Sequence, residues 1–164
     1  MRTLPSVALL IGASSAVAGD TLPPDLSGSY LCKATASAGI RFDQTTNQWK
    51  SVSFNTENDA VLLKVKFTGK TGKYELLDSM YRLYDVRVKK FGEAGDGEIC
   101  SDWGSSKDIV MATGRAIRCT QVAYNYWFNL GTRKFQIAYD GGYMDPDHNT
   151  NTPAITVGIC DKID

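Results

Sequence analysis

The clearest pattern in the sequence is an alternation of apolar and polar residues across positions 122–143. Apolar side chains occupy every second position on both sides of Gly131-Thr132, and this is the period of side chains that share one face of a strand. The alternation predicts two strands joined as a β-hairpin. The apolar set is Tyr124, Tyr126, Phe128 and Leu130 before the turn and Phe135, Ile137 and Tyr139 after it.

The turn sequence sets the expected register of this hairpin. A two-residue turn at Gly131-Thr132, with the glycine at a position of positive φ, places Phe128 opposite Phe135 and makes one face a continuous apolar ladder. A slip of one residue would turn that face to water, whereas a slip of two would keep it, so the pattern leaves the second register open. The opposite face carries Trp127 among amide and lysine side chains and is expected to be solvated.

Further strands are predicted before and after the hairpin. Alternating runs at 27–38, 60–67 and 83–91 are separated by stretches rich in Gly, Asn, Asp and Thr, and residues 153–163 form a closing strand. Residues 74–83 also fit a helical stripe, so a short helix or turn is an alternative there. About eight to ten short strands predict an all-β, antiparallel fold, and we favour a small barrel over a β-sandwich.

The N-terminus has the pattern of a secretory signal peptide. A basic lead with Arg2 precedes a short apolar run, and Ala16-Val17-Ala18 is an A-x-A cleavage site. The apolar run is too short to span a membrane. We therefore assign residues 1–18 to the signal peptide and 19–164 to a single β domain, exported to a periplasm or out of the cell and without a membrane span.

The charge balance excludes a general nucleic-acid binder. Lysine plus arginine equals aspartate plus glutamate, at 18 each, and loss of Arg2 with the leader brings the net charge near −1. Binding to nucleic acid depends on a basic surface. The lysines and arginines between positions 64 and 90 are interpreted as solvated strand faces.

Four cysteines, an even number in an exported chain, predict two disulfides. Three pairings are open. We favour Cys32–Cys160, which would tie the first strand to the last, and Cys100–Cys119, which would close a local loop. Zinc is disfavoured because C-x-x-C is absent and His148 is the sole histidine.

The order of these landmarks resembles that of a group of small exported bacterial proteins of unassigned function. The shared residues in this sequence are Cys32, Ala38-Gly39, Trp49, Phe54, Gly142-Tyr143, Thr152-Pro153 and Gly158-Ile159-Cys160. The resemblance implies export and one fold unit. It implies no catalytic residues.

Tyrosines form the first candidate site. A tyrosine presents an apolar body and a polar tip, so side chains along the hairpin could line a ligand cavity in a barrel as well as fill a packed core. The candidates are Tyr124, Tyr126, Tyr139 and Tyr143.

The polar loop at 145–151 is the second candidate site. Oxygen-bearing side chains stand at alternate positions, as in calcium-binding loops, although the EF-hand glycine and glutamate are replaced by Thr150 and Thr156. The alternative is a set of turn-forming residues that bond their own backbone. The candidate ligands are Asp145, Asp147, Asn149 and Asn151.

The functional expectation follows from what the sequence lacks. No G-x-S-x-G motif supplies a nucleophile for His148. Sequence spacing does not fix a carboxylate pair among Glu75, Glu93, Asp96, Glu98 and Asp102. We therefore expect a non-enzymatic, monomeric protein without a resident cofactor, which binds a small apolar ligand or a secreted enzyme. The alternative is a small secreted hydrolase, with or without calcium, that uses the 145–151 loop.

Overall fold

Antiparallel strands make up most of the computed structural model, which describes residues 21–105, 107–142, 144 and 151–164. Eleven strands lie within these ranges, and the all-β prediction is confirmed. Residues 74–83, where the sequence pattern also fitted a short helix or turn, contain one 3₁₀ turn, Glu75–Leu77. The strands are β1 (Gly28–Asp43), β2 (Gln48–Ser53), β3 (Ala60–Tyr74), β4 (Ser79–Lys90), β5 (Glu98–Ile99), β6 (Ser101–Asp102), β7 (Ile109–Ala112), β8 (Ala116–Gln121), β9 (Tyr124–Asn129), β10 (Lys134–Tyr139) and β11 (Ala154–Lys162).

The strands form one sheet in the order β5-β4-β3-β1-β11-β10-β9-β8-β6, with β2 added to β1 and β7 added to β4. The two end strands, β5 and β6, do not pair with each other in the described structure, so the ladder is open and a closed barrel is not established. The predicted alternative, a sandwich, fits this arrangement.

Cys100 holds the two ends of the open sheet together. It is the single residue between β5 and β6, its amide donates to the Val86 carbonyl on β4 at 2.8 Å, and its sulfur is bonded to Cys119 on β8. The predicted Cys100–Cys119 and Cys32–Cys160 disulfides are both present. A disulfide pair of this kind is typical of proteins that fold in an oxidising environment.

The inward side chains of the strands meet in one hydrophobic core. Tyr84 and Phe128 are its largest fully buried side chains. The lead-in segment covers the end of the core where β1 begins, because the Leu26 amide donates to the Tyr84 hydroxyl at 3.1 Å and the Tyr30 hydroxyl donates to the Leu26 carbonyl at 2.9 Å. Other core members include Leu63, Val65, Val86, Val88, Val110, Ile117, Tyr126 and Phe135.

The hairpin β9–β10 has the predicted register. Phe128 pairs with Phe135, and the pairing continues to Tyr124 opposite Tyr139. The turn differs from the prediction, because the loop spans residues 130–133 and its left-handed residue is Arg133, with φ 60°, not Gly131. A Cβ at Gly131 would lie 2.8 Å from Cδ of Arg115, so a larger residue there would displace the Arg115 side chain.

Within the described ranges, no helix has the length and apolar character needed to cross a membrane. The predicted signal peptide lies outside these ranges.

Candidate functional site

A cavity of about 730 Å³ opens at the end of the core opposite the lead-in segment. Eight strands contribute inward side chains to its wall, and residues 93–97 and Asp59 border it. The volume falls within the range of small-molecule pockets. The strand residues that line it are Cys32, Ala34, Ala60, Val61, Val88, Lys89, Lys90, Glu98, Gln121, Tyr124, Tyr126, Phe135, Ile137 and Thr156.

The hairpin runs from the packed core to the mouth of this cavity. Phe128 is fully buried, Tyr126 is 7% exposed and Tyr124 is 41% exposed. The Tyr126 ring stacks against Phe128 at a centroid distance of 5.9 Å and against Tyr124 at 6.1 Å. The inner face of one strand therefore supplies both core packing and cavity wall.

Gln121 fixes the polar groups at the wall of the cavity. Its Oε1 accepts a hydrogen bond from the Tyr126 hydroxyl at 2.9 Å, and its Nε2 donates to the carbonyls of Val88 at 3.2 Å and Glu98 at 3.1 Å. One side chain thus ties β8 to β9, β4 and β5. A side chain with so many partners is held in one orientation.

Burial raises the pKa of Tyr126, and the neighbouring Tyr124, Glu98 and Glu93 raise it further. The hydroxyl therefore stays protonated at neutral pH and acts as a hydrogen-bond donor to Gln121. It is not suited to act as a base.

The loop at 91–97 is anchored to β4 at the cavity mouth. Lys89 Nζ donates to the carbonyls of Glu93 at 2.7 Å and Gly95 at 2.6 Å, and the Lys90 amide donates to Oε2 of Glu93 at 3.2 Å. These bonds fix the rim. Gly97 has φ 90°, and a Cβ there would lie 3.1 Å from the Val88 carbonyl oxygen, so the loop passes close over the strand.

Two of the predicted tyrosines, Tyr124 and Tyr126, line the cavity. Tyr139 contacts the Tyr124 ring at a centroid distance of 5.0 Å but is not among the described lining residues. Tyr143 lies outside the described ranges.

Most of the predicted calcium loop, with Asp145, Asp147, His148 and Asn149, also lies outside the described ranges. Asn151 is exposed and belongs to no helix or strand. Among the residues that the structure describes, no group of three or more His, Cys, Asp or Glu side chains is placed to hold a metal ion.

Sequence reasoning missed the roles of Gln121 and Glu98. Gln121 continues the inward alternation of Ile117 and Cys119 on β8, and that periodicity is the signal that could have placed it on the cavity face. Glu98 gave no such signal, because a two-residue strand is too short to show a period.

The chain matches no protein-family model, no curated protein and no solved structure.

Proposed function

We propose that this is an exported, non-enzymatic binding protein that holds one small molecule with an apolar body in the 730 Å³ cavity. The observation that carries the proposal is the continuity between core and cavity. The inward side chains of β3 and β10 continue past the packed core as Val61 and Ile137, and these line an open space beside the core residue Val88 on β4. Apolar walls with a few convergent polar groups are typical of small-molecule sites.

Burial of a ligand against these walls supplies the driving force. Each square ångström of apolar surface removed from water contributes about 25 cal/mol. The disulfides and the Gln121 hydrogen bonds hold the wall in place before a ligand arrives, which lowers the entropic cost of binding.

The test is thermal unfolding of the oxidised protein with a set of small apolar ligands, followed by calorimetric titration of those that raise Tm. A ligand at 100 times its dissociation constant should stabilise the folded state by about 2.7 kcal/mol. Ile137→Trp places a large ring in the cavity and should abolish the shift. The matched control is Gln136→Trp on the outer face of the same strand, which should retain it.

A second candidate is contact with a protein partner such as a secreted enzyme. It is favoured by the hairpin of β1 and β2, where Ile40 and Phe54 are exposed and Phe42 packs edge-on against Trp49 at a centroid distance of 5.2 Å. The paired variants Ile40→Lys and Phe54→Lys should abolish binding to such an enzyme in a pull-down and leave cavity ligands unaffected. Loss of cavity binding in the same variants would count against a separate surface.

A further inference from the structure

The side chains at the cavity mouth define the charge of the ligand. Building on the proposed function, we propose that the ligand is an organic cation, with an ammonium group on an apolar body, and that its charge lies among Tyr124, Tyr126 and the carboxylates of Glu93 and Glu98. The apolar body then occupies the deeper part, beside Val61 and Val88.

The two tyrosine rings at the mouth of the cavity suit a positive charge. Tyr124 and Tyr126 stack on each other at the inner wall, and both line the cavity. Aromatic faces attract ammonium groups through the ring quadrupole, and the attraction is stronger where water is partly excluded. Two adjacent rings at a half-enclosed mouth therefore favour a cation over an anion.

The carboxylate of Glu98 faces the cavity. Glu98 pairs with Val88 in the β4–β5 ladder, and Val88 points into the core with 2% of its surface exposed. Directly opposite residues in a ladder place their side chains on the same face. The Glu98 carboxylate is therefore on the cavity side, near enough with Glu93 to raise the pKa of Tyr126.

The hydrogen bonds already made at the cavity wall leave acceptors for a ligand. The Gln121 amide and the Tyr126 hydroxyl satisfy each other and two carbonyls. The carboxylates at the mouth accept hydrogen bonds and donate none when ionised. They are therefore complementary to a ligand that donates, as an ammonium group does.

The cationic side chains at the mouth oppose this charge only in part. Lys89 is turned to the carbonyls of Glu93 and Gly95, and Lys90 stands on the cavity face at the rim, two residues beyond Val88. Asp59 and Asp96 also border the cavity and add negative charge, although Asp96 is ion-paired at 2.8 Å with Lys64 on the outer face. Asp161 is a suitable control for Glu98, because its exposed carboxylate pairs with Arg133 at 2.7 Å and is not among the described residues that line the cavity.

The experiment compares three probes of equal chain length, octylammonium, octanol and octanoate, by calorimetric titration of the oxidised protein. We expect octylammonium to bind at least about tenfold more tightly than octanol, and octanoate to bind most weakly. Glu98→Gln and Glu93→Gln should weaken the binding of octylammonium several-fold without changing the affinity for octanol. Asp161→Asn should leave all three affinities unchanged, and Lys90→Gln should strengthen the binding of octylammonium.

The outcomes separate this inference from the proposed function. Equal or tighter binding of octanol or octanoate would overturn the cationic ligand while leaving a cavity that binds apolar molecules. An effect of Asp161→Asn as large as that of Glu98→Gln would also overturn it, since general surface charge would then explain the preference. No binding of any of the three would count against the proposed function itself. Loss of all binding in Ile137→Trp would place the bound probe in the cavity.

Discussion

Cys32 and Cys160 lie directly opposite each other on the first and last strands, with their Cα atoms 3.9 Å apart and their sulfurs bonded. The bond joins residues separated by 128 positions, whereas Cys100–Cys119 joins residues separated by 19. All four cysteines are buried. The two disulfides thus differ mainly in the length of chain that each one closes.

Removal of the long-range disulfide should cost more stability than removal of the local one. Loop-closure entropy predicts losses of about 5 kcal/mol for Cys32→Ala with Cys160→Ala and about 3 kcal/mol for Cys100→Ala with Cys119→Ala. Urea unfolding of the two double variants measures both. A larger loss for the Cys100–Cys119 pair would show that its role in joining the sheet ends outweighs the entropy of the loop.

Gly158 should tolerate no side chain. A Cβ at this position would lie 2.0 Å from the Lys33 carbonyl oxygen and 2.6 Å from Cε1 of Phe135. Gly158→Ala must push β1 away from β11 and is expected to destabilise the protein by about 3 kcal/mol or more. Gly114→Ala is the matched control, because nothing lies within 4 Å of its Cβ position. Equal unfolding midpoints for the two variants would contradict the expectation.

Asp102 should be a structural carboxylate. Its Oδ1 accepts from the amides of Gly104 and Ser105 and from the Ser105 hydroxyl, each at 3.0 Å, and its Oδ2 accepts from the Met111 amide at 3.1 Å. Asp102→Ala leaves these donors without a partner and should cost about 1–3 kcal/mol. Asp108→Ala, which removes one exposed contact to Ser101 at 3.1 Å, serves as control and should cost much less. Chemical denaturation compares the two.

Stability should fall in alkaline solution through the buried tyrosines. Burial raises the pKa of Tyr126, so the folded state keeps the phenol proton at pH values where the unfolded chain, with a tyrosine pKa of about 10, has lost it. The stability that the protonated Tyr126 contributes is complete at pH values up to about 10 and is lost as the pH rises further. The same direction holds for Tyr30 and Tyr84, whose pKa values are also raised first by burial.

Tyr126→Phe should therefore reduce the alkaline loss of stability without abolishing it. Between neutral pH and about pH 11, the unfolding free energy of the variant is expected to fall by about 1 kcal/mol less than that of the parent. Unfolding free energies at both pH values measure this, and comparing each protein with itself removes the effect of the lost hydrogen bond to Gln121. Identical losses of stability in the two proteins would show that Tyr126 has the same pKa in the folded and the unfolded state.

The sequence specified the local features of the fold well. The period of two in β9 and β10 fixed the faces of Phe128 and Phe135, and the even cysteine count with one early and one late cysteine indicated the observed pairs. The turn was less predictable. Gly131 suggested positive φ, but the left-handed residue is Arg133, and a side chain at position 131 would instead meet that of Arg115, which directly precedes β8.

The cavity depended on relationships that no local pattern contains. Alternation placed Val61, Val88 and Tyr126 on inward faces, yet whether inward residues fill space or enclose it depends on how far each strand extends past its neighbours. The Gln121 side chain reaches the Glu98 carbonyl only because β8 and β5, which are separate in sequence, both come close to β4. Strand periodicity is set within a few residues by backbone geometry, whereas the packing of the sheet on itself is set by contacts between distant residues.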